Sequence, residues 1–173
     1  FQSLHEKNRV IVYFIMKQIG KRVLNKFKTI LAQQNFKRRQ HYNLKNSKEI
    51  HRIAMIFFVP KTNAEKYNNW EDGFTKAIDL LAEDYQVDYI NLEDEKPSSE
   101  KLNQYDFIII KSCWNWIVDK YVRELKNLTV KRGIAVSCSL EPQREWAYFY
   151  DVIWYETLWY KKFVAFHPNI FLA

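Results

Sequence analysis

The chain has 173 residues, of which 47% are hydrophobic and 17% aromatic, so it can fill the core of one domain of ordinary size. This composition excludes a wholly disordered chain. The net charge of +7 is divided unevenly, because residues 1–50 hold 12 Lys and Arg against Glu6 and Glu49, while residues 51–173 hold 15 against 18 acids. We therefore predict a basic arm over 1–50 and a separate domain over 51–173, not a uniformly basic nucleic-acid binder.

The arm carries the apolar spacing of one helical face. From Val12 onward, apolar residues recur every three or four positions, at Ile15, Ile19, Val23, Phe27 and Ile30. Basic residues crowd the remaining positions: Lys17, Lys21, Arg22, Lys26 and Lys28. The apolar run 10–16 is far shorter than the ~20 residues of a spanning helix. The pattern predicts a basic amphipathic helix followed by a polar linker over 33–48.

The sequence is consistent with two kinds of binding partner for this helix and argues against a third. The helix can pack against the rest of the protein or against a partner chain. It can also dock on an anionic membrane, because interfacial helices combine a basic and an apolar face, and the five basic residues would then bind the membrane. The protein would in that case lie peripherally on the inner face of the plasma membrane. Nucleic acid is disfavoured, since no recognisable binding fold accompanies the basic residues.

The domain over 51–173 alternates short β-rich runs with helical periodicity. Strands are predicted at 52–59, 86–92, 106–110, 134–137, 151–155 and 169–172, and helices at 70–81, 119–128 and 158–166, with a loop around 97–99. Helical spacing predicts that Ala77, Ile78 and Leu81 form one apolar face of the first helix, and that Val118 and Val122 face inward in the second. The nearly all-apolar run 52–59 is typical of a strand that is buried on both faces of a parallel sheet. We expect a Rossmann-like, open, mostly parallel α/β sheet flanked by helices. Its ligand crevice should lie beyond the carboxyl ends of the strands.

The sequence lacks the motifs that bind several classes of cofactor. The three glycines, Gly20, Gly73 and Gly133, do not form a dinucleotide fingerprint or a phosphate loop after the first strand. The four histidines are scattered, and Cys113 and Cys138 lie 25 residues apart. We predict no metal and no cofactor, and we expect reduced thiols in a cytoplasmic protein.

Polar and aromatic residues at the predicted strand ends are the candidate site. Two indoles that flank an amide can stack on a sugar and bind its hydroxyls, although each indole can instead simply cap the sheet. The carboxylates that open the first helix can act as a catalytic base or can stabilise the helix start. The candidate substrate contacts are Trp114, Asn115, Trp116, Ser139, Arg144 and Glu156, and the candidate catalytic residues are Glu71 and Asp72. For the charges after the fourth and fifth strands, a solvated loop is the alternative.

The segment 146–171 contains 11 aromatic residues. Most of them are expected in the core. The remainder predicts an interface with a neighbouring domain, because large apolar patches on a protein surface mark interaction sites.

Three segments carry a family resemblance: 149–157 (FYDVIWYET), 167–170 (HPNI) and 70–74 (WEDGF). Over 51–173 the chain resembles the N-terminal half of bacterial GT-B glycosyltransferases of the group 1 class, which build cell-surface polysaccharides. The resemblance implies that this half binds a saccharide or lipid-linked acceptor. It also implies that a second half, which would follow after residue 173, binds the nucleotide sugar and carries paired glutamates. The chain by itself is then expected to be inactive. The alternative is a non-catalytic α/β interaction domain.

Overall fold

The computed structural model describes residues 2–45, 49–60, 73–112, 117–136, 144–155 and 167–172. The helices are α1 (Gln2–Lys45), α2 (Gly73–Leu81), α3 (Ser99–Leu102), α4 (Ile117–Glu124) and α5 (Arg144–Ala147). The strands are β1 (Arg52–Phe57), β2 (Gln86–Asn91), β3 (Phe107–Ser112), β4 (Lys131–Val136), β5 (Val152–Tyr155) and β6 (Ile170–Leu172). They form one open sheet in the order β2-β1-β3-β4-β5-β6, in which every pair is parallel. The predicted Rossmann-like α/β fold with an N-terminal helix is confirmed.

Helices cover both faces of the sheet, as the strand order requires. The chain moves from β1 to β2 in one direction and from β3 to β4 and β5 in the other, so right-handed crossovers place α2 opposite the other helices. Leu102, Val122 and Ala147, from α3, α4 and α5, belong to the larger core cluster. Ile78 of α2 belongs to a second cluster on the other face.

Strand β1 is buried on both faces, as its apolar run predicts. Ala54 and Ile56 pack in the larger cluster, and Ile53 and Met55 pack in the smaller one. Full burial of an aliphatic side chain contributes about 1.5–3 kcal/mol. This strand therefore stabilises both layers of the domain at once.

The predicted linker over 33–48 is wrong for most of its length, because α1 continues to Lys45. The residues 33–45 contain no glycine or proline, so nothing in them breaks a helix. Phe36 is buried against Tyr148 and His167, with ring centroids at 5.7 and 5.0 Å. Tertiary packing of one aromatic residue thus extends a helix through a polar stretch.

Other boundaries differ in detail. Strand β4 begins at Lys131, three residues before the predicted start, and α3 lies in a segment expected to be a loop, where the Ser98 hydroxyl caps it. On α2, Ile78 is buried as predicted, whereas Ala77 and Leu81 are exposed. The predicted helix 158–166 lies outside the described residues.

The aromatic segment 146–171 is mainly core where the structure describes it. Trp146, Tyr148, Tyr150 and Tyr155 are all buried. Among the described aromatic residues of this segment, Phe171 is the exposed one, at 54%. The described part of the segment therefore offers little free surface for the expected interdomain interface.

Gly133 is required by the packing of Trp154. A Cβ at this position would lie 2.2 Å from Cζ3 of Trp154 and 3.3 Å from Cζ of Phe107. The missing side chain gives the indole room to lie over β4, where it meets the Phe107 ring edge-on at a centroid distance of 6.3 Å.

We predict that Gly133→Ala lowers the free energy of unfolding by about 1–3 kcal/mol, because the added methyl overpacks the sheet face. Gly20→Ala is the matched control. A Cβ added at Gly20, in an exposed part of α1, would have no atom within 4 Å, so this substitution should make the helix more stable by up to about 1 kcal/mol. Urea unfolding followed by circular dichroism measures both variants. A Gly133→Ala protein as stable as the parent would contradict the packing argument.

Candidate functional site

The sheet has a topological switch point between β1 and β3. Strand β1 pairs with β2 on one side and β3 on the other, so the connections that leave β1 and β3 diverge. In open parallel sheets, ligands bind outside the carboxyl ends of the strands at such a point. The candidate site of this fold is therefore the crevice above β1 and β3.

The predicted site residues follow these same strands in the chain. Glu71 and Asp72 belong to the segment between β1 and α2, and Trp114, Asn115 and Trp116 belong to the segment between β3 and α4. All five lie outside the described residues. What the structure provides is the edge of the sheet from which both segments depart.

The described part of this edge is firmly held. The Asn91 side chain at the end of β2 donates to the Val59 carbonyl and accepts from the Val59 N–H, both at 3.0 Å. Lys111, the residue before the end of β3, is only 3% exposed. The candidate loops thus begin from fixed backbone, as a preorganised site requires.

The remaining predicted residues divide into three groups. Ser139 and Glu156 lie outside the described residues. Arg144 begins α5, so its backbone is helical at this position and not a loop, and its role as a substrate contact stays a prediction. The five predicted membrane-binding residues, Lys17, Lys21, Arg22, Lys26 and Lys28, are all exposed on α1. No three His, Cys, Asp or Glu side chains in the described ranges are placed to hold a metal ion, and no described helix is long and apolar enough to cross a membrane.

A charged cluster that the sequence did not predict joins α1 to the sheet. Oδ1 of Asp151 accepts from Nε of Arg39 at 2.8 Å and from Nε2 of Gln40 at 2.9 Å, while Oδ2 accepts from the backbone N–H of Arg132 at 2.9 Å. Nη2 of Arg39 also donates to the carbonyls of residues 148 and 149, at 3.1 and 3.0 Å. We call this contact the Asp151 clasp. Both carboxylate oxygens of Asp151 therefore have hydrogen-bond partners, and the clasp holds α1 against the sheet.

Arg132 is a second buried cation beside the clasp. Its guanidinium donates to the carbonyls of Leu128, Val130 and Phe149, at 3.1, 3.1 and 2.7 Å, and lies 4.1 Å from the Phe149 ring centroid. Burial, with the nearby Arg39 charge, lowers the pKa of Arg132 to about 10. The group therefore remains charged at neutral pH, and neutral carbonyls hold its charge.

A third buried group links α4 to the start of β5. Oδ1 of the Asp119 carboxylate accepts from the Tyr150 hydroxyl. Oδ2 accepts from Nε and Nη2 of Arg123, at 2.9 and 2.8 Å. Burial raises the pKa of Tyr150 well above its usual value, and the Asp119 charge raises it further. Tyr150 is therefore a neutral hydrogen-bond donor, and it is not a candidate base.

His167 closes the same region as a neutral ring. Its Nε2 lies 3.1 Å from the Tyr150 carbonyl oxygen, and its Nδ1 lies 3.2 Å from both the carbonyl oxygen and the backbone nitrogen of Asn169. In a neutral ring that donates from Nε2, Nδ1 accepts from the Asn169 N–H. These contacts fit the tautomer that donates from Nε2 and accepts at Nδ1. Burial lowers the pKa of His167 below 6.5, although the contacts of its ring nitrogens with the Tyr150 and Asn169 carbonyls oppose this shift.

No protein-family model, curated protein or solved structure matches the chain.

We predict that Arg39→Gln lowers the free energy of unfolding by about 3 kcal/mol, because it leaves a buried carboxylate without its cation. The two side chains of this pair are 16% and 7% exposed. Arg38→Gln is the matched control, since it removes the same charge from an exposed neighbouring position and should change the free energy by less than about 0.5 kcal/mol. Equal effects of the two substitutions in chemical denaturation would show that the clasp contributes nothing specific.

We also predict that stability declines as the pH falls below about 7, with His167 as one cause. The folded state holds this ring neutral, whereas the unfolded chain takes up a proton near its ordinary pKa of 6.5, so acid favours unfolding. The decline should stop below the folded-state pKa. Urea midpoints between pH 5.5 and 8 measure the slope for the parent and for His167→Gln, which should have the shallower slope. Parallel slopes would be evidence against this role.

Proposed function

We propose that the α/β domain is the acceptor-binding half of a glycosyltransferase, which receives a sugar from a nucleotide-sugar donor. One observation carries the proposal: the two predicted residue sets, around Glu71 and around Trp114, lie in the connections that leave β1 and β3, the two strands that form the topological switch point. The resemblance over 51–173 to GT-B enzymes of the group 1 class supports the same assignment. The acceptor would be a cell-surface polysaccharide or a lipid-linked saccharide.

In this proposal each candidate residue has a chemical role. Trp114 and Trp116 stack on the apolar faces of an acceptor sugar, and the Asn115 amide binds its hydroxyls. Glu71 or Asp72 accepts the proton of the attacking hydroxyl, a contribution of about 10²–10⁴-fold. Ser139, Arg144 and Glu156 extend the contact surface, because they follow β4 and β5, whose carboxyl ends share the same edge of the parallel sheet.

The donor would be bound mainly by a second half of the enzyme, which supplies the electrostatic stabilisation of the leaving phosphate. The proposed location is the cytoplasmic side of the plasma membrane, where the protein would be peripheral and lipid-linked acceptors would be within reach. The chain alone should bind an acceptor without turning over a nucleotide sugar. Hydrolysis or transfer by the purified chain, above a heat-inactivated control, would refute the assignment of donor chemistry to another half.

We predict that the chain binds saccharides on an array of bacterial surface glycans. Trp114→Ala and Trp116→Ala should each weaken binding of the strongest saccharide about tenfold in titration calorimetry, since the loss of one stacking contact corresponds to about 1.4 kcal/mol. Phe27→Ala is the matched control, because this exposed aromatic residue lies on α1 and should leave the affinity unchanged.

Two results would contradict acceptor binding. One is an array on which the parent protein binds no glycan. The other is saccharide binding that persists at parental strength in the double variant Trp114→Ala, Trp116→Ala, which would place the saccharide elsewhere on the domain.

A further inference from the structure

Helix α1 exposes a continuous apolar surface, which we call the arm stripe. Its members are between 43% and 64% exposed: Ile19, Val23, Leu24, Phe27, Ile30 and Leu31. At about 100° per residue, they occupy one arc of about 140° on the helix. Apolar side chains scattered singly on a surface are ordinary, but six on one face of one helix form a patch.

The arm stripe points away from the rest of the protein. Phe36, which is buried, lies about 190° around the helix from the middle of the stripe. Arg39 and Gln40 lie near Phe36 on the helix circumference and are held by the Asp151 clasp. The clasp therefore fixes the rotation of the helix, and it leaves the stripe on the side opposite the sheet. The arm stripe does not serve to attach α1 to the domain.

Basic residues border the stripe on both sides. Lys17 and Lys28 lie about 20–40° beyond Leu24, and Lys26 lies about 20° beyond Ile19 at the other border. Long lysine stems can extend along an apolar surface while their ammonium groups remain in water. Apolar residues between two rows of cations match the boundary between acyl chains and anionic headgroups.

The charge of the segment argues against a second copy of this chain as the occupant of the stripe. Residues 7–48 contain 12 Lys and Arg and no acid. Two such helices side by side would bring like charges together, with no Glu to pair across the interface. An anionic membrane offers negative headgroups to the basic borders and an apolar interior to the stripe.

We propose that the arm stripe docks in the interface of an anionic bilayer and that the Asp151 clasp holds the α/β domain on the aqueous side of the docked helix. This inference names the surface for the peripheral location proposed above, but it does not need the acceptor site. The test below contains no saccharide. Its failure would therefore leave acceptor binding untouched, and a failure of acceptor binding would leave the docking surface untouched.

The experiment is co-sedimentation of the full chain with vesicles of phosphatidylcholine, alone or with 30% phosphatidylglycerol. The parent should pellet with the anionic vesicles and not with the neutral ones, and pelleting should fall as added salt shortens the Debye length. Removal of three charges by Lys17→Gln, Lys21→Gln and Lys28→Gln should weaken partitioning about a hundredfold, since each basic residue contributes about fivefold. Val23→Gln with Phe27→Gln should also weaken it, with every charge retained.

The matched control variants remove the same numbers of basic and apolar side chains from the α/β domain. Lys96→Gln, Lys120→Gln and Lys126→Gln remove three exposed charges, and Leu80→Gln with Leu81→Gln replaces two exposed apolar residues of α2. Both control proteins should pellet as the parent does. Circular dichroism of each variant establishes that its helices are intact, so that a loss of binding is not a loss of fold.

Three outcomes would overturn the proposal. The first is pelleting that is absent, or equal for neutral and anionic vesicles. The second is parental binding by the variant of Val23 and Phe27. The third is a dimer in light scattering without lipid that this variant dissociates, which would assign the arm stripe to a second copy of the chain.

Discussion

The Asp151 carboxylate is the interaction on which the arrangement of this protein depends. One oxygen holds Arg39 and Gln40 of α1, and the other holds the backbone of β4 at Arg132, so a single side chain just before β5 connects the arm, β4 and β5. The Arg132 guanidinium is nearby, where burial and the positive charge of Arg39 both lower its pKa. Without the carboxylate, two buried or half-buried cations would face each other with only carbonyl dipoles to hold them.

The sequence was sufficient to predict the layers of the domain. Runs such as 52–59 are apolar throughout, and only a strand between two covered faces suits that pattern. Helical spacing likewise predicted that Val118 and Val122 of α4 would be buried, as they are. These signals are local: each depends on neighbours within one turn of helix or on alternate residues of one strand, so periodicity reveals them.

The sequence was not sufficient where charged residues enter the core. Strand β4 begins with Lys131 and Arg132, which a hydrophobicity pattern assigns to a loop, yet Arg132 is only 3% exposed. Its guanidinium donates to carbonyls, and its backbone N–H donates to the Asp151 carboxylate. That carboxylate also binds Arg39, 112 residues away in the chain. A periodic pattern relates only residues that are close in the chain, so it does not reveal pairs this distant. For the same reason the sequence predicted the arm stripe, but it did not predict that the stripe faces away from the domain, since the clasp sets that orientation.

The candidate site residues come from the sequence, whereas the strands that lie beside them are known only from the structure. That polar and aromatic residues follow the strands is visible in the sequence, whereas the order β2-β1-β3-β4-β5-β6, which makes β1 and β3 the crevice, emerges only from the pairing. This order also separates the two proposed surfaces. Asp151 lies at the amino end of β5, and the carboxyl end of this strand at Tyr155 lies about 13 Å further along at ~3.3 Å per residue. Because the arm is fastened at one edge of the sheet and the acceptor would bind at the other, a docked helix need not obstruct the crevice.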